Sequence, residues 1–185
     1  MKSTLRNMLL SLTGITVIAA AALGFTDMLT AQARVEAQDK ALADALGAVL
    51  PPFDTQLSCD TLPEGLIVYR TAMQGTPAGT AVKSFSDNGF SGRITVLFGF
   101  DTNGALTGYR VLEHAETPGL GAKASDWFAA TGTTHDVTGT TAPLKVSKDG
   151  GDIDAITGAT ITSRAFLEAL NKARTPLGAE KTSQP

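Results

Sequence analysis

Cysteine is almost missing from this sequence: Cys59 stands alone among 185 residues, so no intrachain disulfide is possible. Histidine is nearly as scarce. Neither His114 nor His135 lies among Cys or acidic residues at zinc-like spacing, so no metal site is expected. Aromatic residues make up 6% of the chain and the formal net charge is −3. The basic, aromatic-studded surface of a nucleic-acid binder therefore has little to be built from, and no nucleic-acid partner is expected. No G-x-S-x-G elbow occurs, so nothing supports a Ser-His-Asp hydrolase, and no catalytic residues are assigned. What remains is a chain that is 43% hydrophobic without internal repeats, the profile of one globular domain with appendages.

Charge is also missing from one long stretch. Asn7 to Thr26 contains no charged residue and is dense in Leu, Ile, Val and Ala. As a helix, twenty such residues span roughly 30 Å, the thickness of a bilayer core. Lys2 and Arg6 precede the run and Asp27 follows it, which predicts a cytoplasmic N-terminus and an exported remainder. Residues 1–30 carry two basic and one acidic side chain, so the exported part bears −4. The competing reading is a cleaved signal peptide, with Ala31-Gln32-Ala33 as a small-x-small site. The length of the apolar run and the distance of that site from its end favour a retained anchor.

Beyond the anchor, Arg34 to Leu50 carries Val35, Ala41, Leu42, Leu46 and Val49 at helical spacing, and Pro51-Pro52 ends it. Strands are predicted over 66–70 and 80–85. A stronger one covers 93–100, where Ile94, Val96, Phe98 and Phe100 alternate with Thr95, Leu97 and Gly99. Asp101-Thr102-Asn103-Gly104 is a turn signal, and residues 105–114 return as the partner strand. A short helix is expected over 122–130 and a short strand over 144–147. A last helix starts near Ile161 or Thr162, on Ala165, Phe166, Ala169, Leu170 and Ala173. The fold class is α+β: an antiparallel sheet with packed helices, preceded by one transmembrane helix.

Two motifs carry chemistry. In Asp154-Ala-Ile-Thr157-Gly158-Ala159-Thr160-Ile-Thr162-Ser163, Gly158 permits an unusual turn and Ala159 leaves space. The helix that follows offers unpaired N–H groups and the positive end of its dipole, which favour a phosphate. Thr157, Thr160, Thr162 and Ser163 add hydroxyls. The plain alternative is an ordinary helix cap. The second motif is His114-Ala-Glu116-Thr117-Pro118-Gly119-Leu120-Gly121. Its glycines and proline shape a loop whose backbone can approach a planar ligand, with Glu116 and Thr117 able to bond ligand edges. Gly119-x-Gly121-x-x-Ala124 also fits a dinucleotide fingerprint, but the preceding strand lies in an antiparallel hairpin and βαβ units are lacking.

Together these residues resemble the FMN-binding domain found in the G subunit of the Rnf electron-transport complex and in the C subunit of the sodium-pumping NADH:quinone reductase. The resemblance runs from the anchor through Val49-Leu50-Pro51, Gly89-Phe-Ser-Gly92, Asp101-Thr-Asn-Gly104, Glu116-Thr-Pro-Gly-Leu-Gly121 and Asp126-Trp127 to Asp154-x-x-Thr-Gly-Ala-Thr160. The compact length favours the Rnf protein. The resemblance implies FMN joined covalently through its phosphate to Thr160 by a flavin transferase. Asp154, Thr157, Gly158, Ala159, Thr162, Glu116, Thr117, Gly119, Leu120 and Gly121 would lie around the cofactor. It implies a chain laid out as a cytoplasmic N-terminus (1–6), a transmembrane helix (7–26), an amphipathic stalk helix (34–50), an FMN-binding domain (51–175) and a flexible tail (176–185). Such a chain would pass electrons within a membrane complex that couples ferredoxin oxidation and NAD⁺ reduction to ion pumping. Its partners would be the other membrane subunits, the transferase and lipid, with the sheet domain on the periplasmic side of the inner membrane. The rivals are a stand-alone extracytoplasmic flavin reductase, the related quinone-reductase protein, and a module that keeps the fold without the redox role.

Overall fold

A computed structural model describes residues 5–182, in two compact units divided between Ala43 and Asp44. Helix α1 spans Leu5–Val49. Within it, Arg6–Ala31 is 26 residues long with a mean hydropathy of 2.1, long and apolar enough to cross a membrane. Leu9, Ile15, Ile18 and Leu23 are exposed on different faces of this segment, an arrangement suited to lipid and not to an aqueous surface.

The second unit is built on a five-stranded antiparallel meander: β1 (Thr55–Thr61), β2 (Ile67–Met73), β3 (Thr76–Gly89), β4 (Gly92–Phe100) and β5 (Leu106–Glu113), each strand beside its chain neighbours. A long helix, Thr160–Thr182 (α3; α2 is the single turn Ala124–Trp127), packs across β3 and β4. One face of the sheet supplies Val68, Val82, Ile94, Val96, Phe98 and Phe100 to the main core, and α3 supplies Ala165, Phe166, Ala169, Leu170 and Ala173. The alanines recur every four residues, so a smooth helix face lies on the sheet. Ser84, fully buried on β3, donates a 2.8 Å hydrogen bond to the Ala169 carbonyl.

The other face of β4 is buried as well. A Cβ built on Gly99 would stand 2.0 Å from the Val49 carbonyl oxygen. Gly99 and its cross-strand partner Gly108 thus form a slot for the last turn of α1. The Thr107 hydroxyl donates to the Val49 carbonyl at 2.5 Å, satisfying an acceptor that the helix end leaves over.

The hairpin expected across residues 93–114 is present. Asp101 Oδ1 accepts from the amides of Asn103 and Ala105, both at 2.8 Å, closing its turn. The helix expected over 122–130 shrinks to a 3-10 turn, Gly121–Lys123, and one helical turn, α2, Ala124–Trp127. The Phe128 amide donates instead to the Tyr109 hydroxyl at 3.0 Å while its ring stacks on Phe166, which ends the helix. The strand expected over 144–147 is a single parallel bridge, Val146 to Ile153. β1 goes beyond the expected strands: it is a polar edge strand whose residues are nearly all exposed, so no alternation marks it. α3 continues through Pro176 to Thr182, because Pro176 is buried and Leu177 packs on the core, which offsets the hydrogen bond that proline cannot donate. Residues 1–4, from the expected cytoplasmic N-terminus, and 183–185, from the expected tail, lie outside the described residues.

Candidate functional site

The N-terminal end of α3 is unusual. Gly158 sits at φ 80° in a turn closed by the Ala159 amide on the Ile156 carbonyl at 2.9 Å. That left-handed position costs glycine nothing. The first bond into the helix runs from the Ser163 amide to the Ala159 carbonyl at 3.0 Å, which makes Ala159 the capping residue. Alanine has no side-chain acceptor and is a poor cap. The nearby hydroxyls do not replace it: Ser163 Oγ accepts from the Ile156 amide and donates to the Ala159 carbonyl, both at 3.0 Å. The backbone amides of Thr160, Ile161 and Thr162 therefore precede the first intrahelical bond at the positive end of a 23-residue helix. An ordinary cap is not what these residues form.

A cavity of about 350 Å³ opens at this end of the helix. Both sequence motifs line it: Glu116, Thr117, Leu120 and Gly121 from the loop after β5, and Gly158, Ala159, Thr160 and Thr162 from the helix start. Its volume lies in the range of small-molecule sites, roughly 300–1,000 Å³. Three large apolar side chains at its edge are exposed: Phe90 at 67%, Ile161 at 46% and Leu120 at 43%. Solvated apolar groups gathered around one concavity mark a place for a flat apolar ligand.

Glu116 holds this site together. It is 5% exposed, and its two oxygens serve different segments. Oε1 accepts from the Ser91 amide at 3.1 Å, on the turn that carries Phe90, and Oε2 accepts from the Thr162 hydroxyl at 2.6 Å. Two glycines make room for the carboxylate. A Cβ at Gly89 would lie 2.7 Å from Oε1, and one at Gly121 would lie 2.6 Å from Oε2. Gly119 has no such role: it takes φ 77°, but a Cβ there would meet nothing within 4 Å, and the residue does not line the cavity. Close approach in this loop belongs to Gly121. Gly158 also keeps the cavity open, since a Cβ on it would press within 3.3 Å of Leu120 Cδ2.

Asp154 and Thr157 lie elsewhere. They line a second, more polar groove of about 450 Å³ with Trp127, His135, Ser147 and Lys148; Gly158 and Thr160 border both spaces. Asp154 accepts from the Thr134 hydroxyl at 2.5 Å and the Ser147 hydroxyl at 3.1 Å. These bonds, with His135 nearby, hold its carboxyl below the usual carboxylate range. Trp127 donates to the Asp154 carbonyl at 3.2 Å and stacks on His135 with ring centres 4.1 Å apart. His114 is a local acceptor, its Nδ1 taking the Glu116 amide at 3.2 Å.

Two residues at the site escape sequence reasoning. Phe90 stands at a turn between Gly89 and Gly92, where an aromatic residue exposed for no packing reason is the available signal. Lys148, whose Nζ lies 3.4 Å from Thr160 Oγ1, sits in a Gly-rich loop that carries no recognisable motif.

A meander sheet backed by a helix whose start faces a cavity with an apolar rim defines a cofactor-binding domain, and the FMN-binding domain family matches residues 89–175. The chain is also similar over most of its length to named proteins. It is 34% identical over 187 residues to the G subunit of the ion-translocating oxidoreductase complex of Shewanella amazonensis, covering 92% of this chain and 86% of that one. The same protein of Vibrio parahaemolyticus is 38% identical over 151 residues, covering 72% and 70%. That of Escherichia coli is 41% identical over 110 residues, covering 57% and 53%. The chain belongs to the family of G subunits of the ion-translocating oxidoreductase complex.

Proposed function

We propose that this chain carries electrons through FMN as the G subunit of a membrane-bound, ion-translocating ferredoxin:NAD⁺ oxidoreductase complex, and that the FMN is covalently bound through its phosphate to Thr160. The observation that carries the attachment is the start of α3. Its cap is an alanine, its first amides precede the first intrahelical bond, and Thr160 borders the cavity there. A phosphate on Thr160 would take the place of the missing side-chain cap and lie in the favourable field of the helix.

FMN, when bound, supplies the redox chemistry. The chain's own residues hold and shield it. Phe90, Leu120 and Ile161 offer apolar surface for the ring, and Gly121 and Gly158 keep the cavity free of side chains. Glu116 sets the turn and the helix at a fixed separation. A covalent link prevents loss of the cofactor from a domain outside the cytoplasm. The uncharged run 7–26 of α1 is the anchor, and Lys2 and Arg6 before it orient the chain with the sheet domain on the periplasmic side. Partners on this reading are the other membrane subunits, a flavin transferase that acts once during maturation, and lipid.

The test is expression with and without the flavin transferase, followed by denaturing electrophoresis. The expected result is a fluorescent band at the size of this chain only when the transferase is present. A colourless band under both conditions would overturn covalent attachment.

A further inference from the structure

We propose that Lys148 is the cation that receives the phosphate at Thr160, both while the flavin is being transferred and in the finished protein. The inference rests on Thr160 being the attachment point.

Lys148 Nζ stands 3.4 Å from Thr160 Oγ1, the atom that would bear the phosphate. Lys148 also lines both spaces that Thr160 borders. Three acids around the site are engaged by other residues. Asp149 is taken by Arg164 through two bonds of 2.7 Å, Asp154 by Thr134 and Ser147, and Glu116 by Ser91 and Thr162. Among the described residues no carboxylate pairs with Lys148. An ammonium in no ion pair among the described residues, at the positive end of a helix, raises the field at one hydroxyl.

The lysine is also set in place by the fold. It lies in a 3-10 turn, Ser147–Asp149, closed by the Asp149 amide on Val146 at 2.9 Å and the Gly150 amide on Ser147 at 3.1 Å. Gly150 leaves the turn at φ 81°, and the loop packs so closely that a Cβ on Gly151 would fall 2.1 Å from the Lys145 carbonyl oxygen. Arg164, which ties this turn down through Asp149, stands one turn along α3 from Thr160. The exposed Arg164–Asp149 pair adds little stability. Its effect is positional: it fastens the lysine's loop to the helix that carries the threonine.

In the transfer, Thr160 Oγ forms a bond to the flavin-side phosphorus of FAD. The pyrophosphate P–O bond breaks, AMP leaves with the bonding electrons, and the hydroxyl proton passes to a base of the transferase. Negative charge thus grows on and beside Thr160 Oγ and persists as the phosphodiester. Lys148 opposes it at both stages.

The experiment measures the initial rate of flavin attachment to the full-length detergent-solubilised protein, with purified transferase and FAD, by intact mass and in-gel fluorescence. Wild type, Lys148→Met and Lys148→Arg are compared after circular dichroism confirms equal folding. Loss of one charge-assisted contact should slow Lys148→Met by about tenfold, and Lys148→Arg should recover most of the rate. A Lys148→Met protein that is modified at the wild-type rate would overturn the proposal. So would a Lys148→Arg protein as slow as Lys148→Met, because charge would then not be the cause. If the wild type itself carries no adduct on Thr160, the attachment reading fails instead, and that outcome is distinct because it does not depend on residue 148.

Discussion

The Thr162 hydroxyl and Glu116 Oε2 are joined by a 2.6 Å hydrogen bond between residues that are both nearly inaccessible to solvent. This bond fastens the first turn of α3 to the loop after β5, and so unites the two sequence motifs. The other oxygen of the same carboxylate secures the Phe90 turn. Replacing Glu116 with alanine leaves the Ser91 amide and the Thr162 hydroxyl without their acceptor. The expected cost is about 2 kcal/mol, with Glu116→Gln losing less because an acceptor oxygen remains. Denaturant unfolding of the sheet domain measures both.

Gly121 and Gly119 should behave differently although they stand two positions apart. A methyl group on Gly121 collides with the Glu116–Thr162 pair, so Gly121→Ala should destabilise by roughly 1–3 kcal/mol and shift the flavin absorption spectrum. A methyl group on Gly119 meets nothing, and only its left-handed backbone objects, at about 1 kcal/mol. Gly119→Ala should therefore keep the wild-type spectrum. Spectra of the two loaded variants that change alike would contradict this division.

Asp154 gives a dependence on pH. Hydrogen bonds from Thr134 and Ser147 depress its folded-state pKa below the ordinary value of 3.8. Its contribution to stability is then full well above that value and is lost as pH falls through the depressed one. Thermal midpoints of wild type and Asp154→Asn should differ at pH 7 and converge as the pH falls through the depressed pKa of Asp154. A gap that stays constant across the acid range would mean that the carboxylate charge is not what Thr134 and Ser147 hold.

The apolar part of α1 is expected to remain on the mature protein. N-terminal sequencing of protein extracted from membranes should read residues ahead of Asn7. A mature chain beginning at Arg34 would show instead that the segment is a signal peptide.

The sequence made much of this site legible, for reasons that differ from residue to residue. The β4–β5 hairpin shows because alternation and the turn residues at 101–104 are local signals. The start of α3 shows because Gly158 and the alanines each have a backbone reason to be where they are. β1 does not show, since its exposure on both faces erases the alternation. The burial of Leu97 is also hidden, because the last turn of α1 covers that face of β4 from far away in sequence. At the site, Gly119 and Gly121 are indistinguishable until Glu116 and Thr162 are seen beside one of them. Lys148 reaches Thr160 only through a loop that Arg164 fastens, a relationship that no spacing encodes.

On the proposed function, the cofactor joins the chain at the end of the Thr157-Gly158-Ala159-Thr160 segment. Peptide mass mapping of protein made with the transferase tests it most directly. The expected result is an added FMN phosphoryl group on Thr160 in the wild type, and a folded Thr160→Ala protein without covalent flavin. An adduct on Thr157 or Thr162, or one that survives Thr160→Ala, would contradict it.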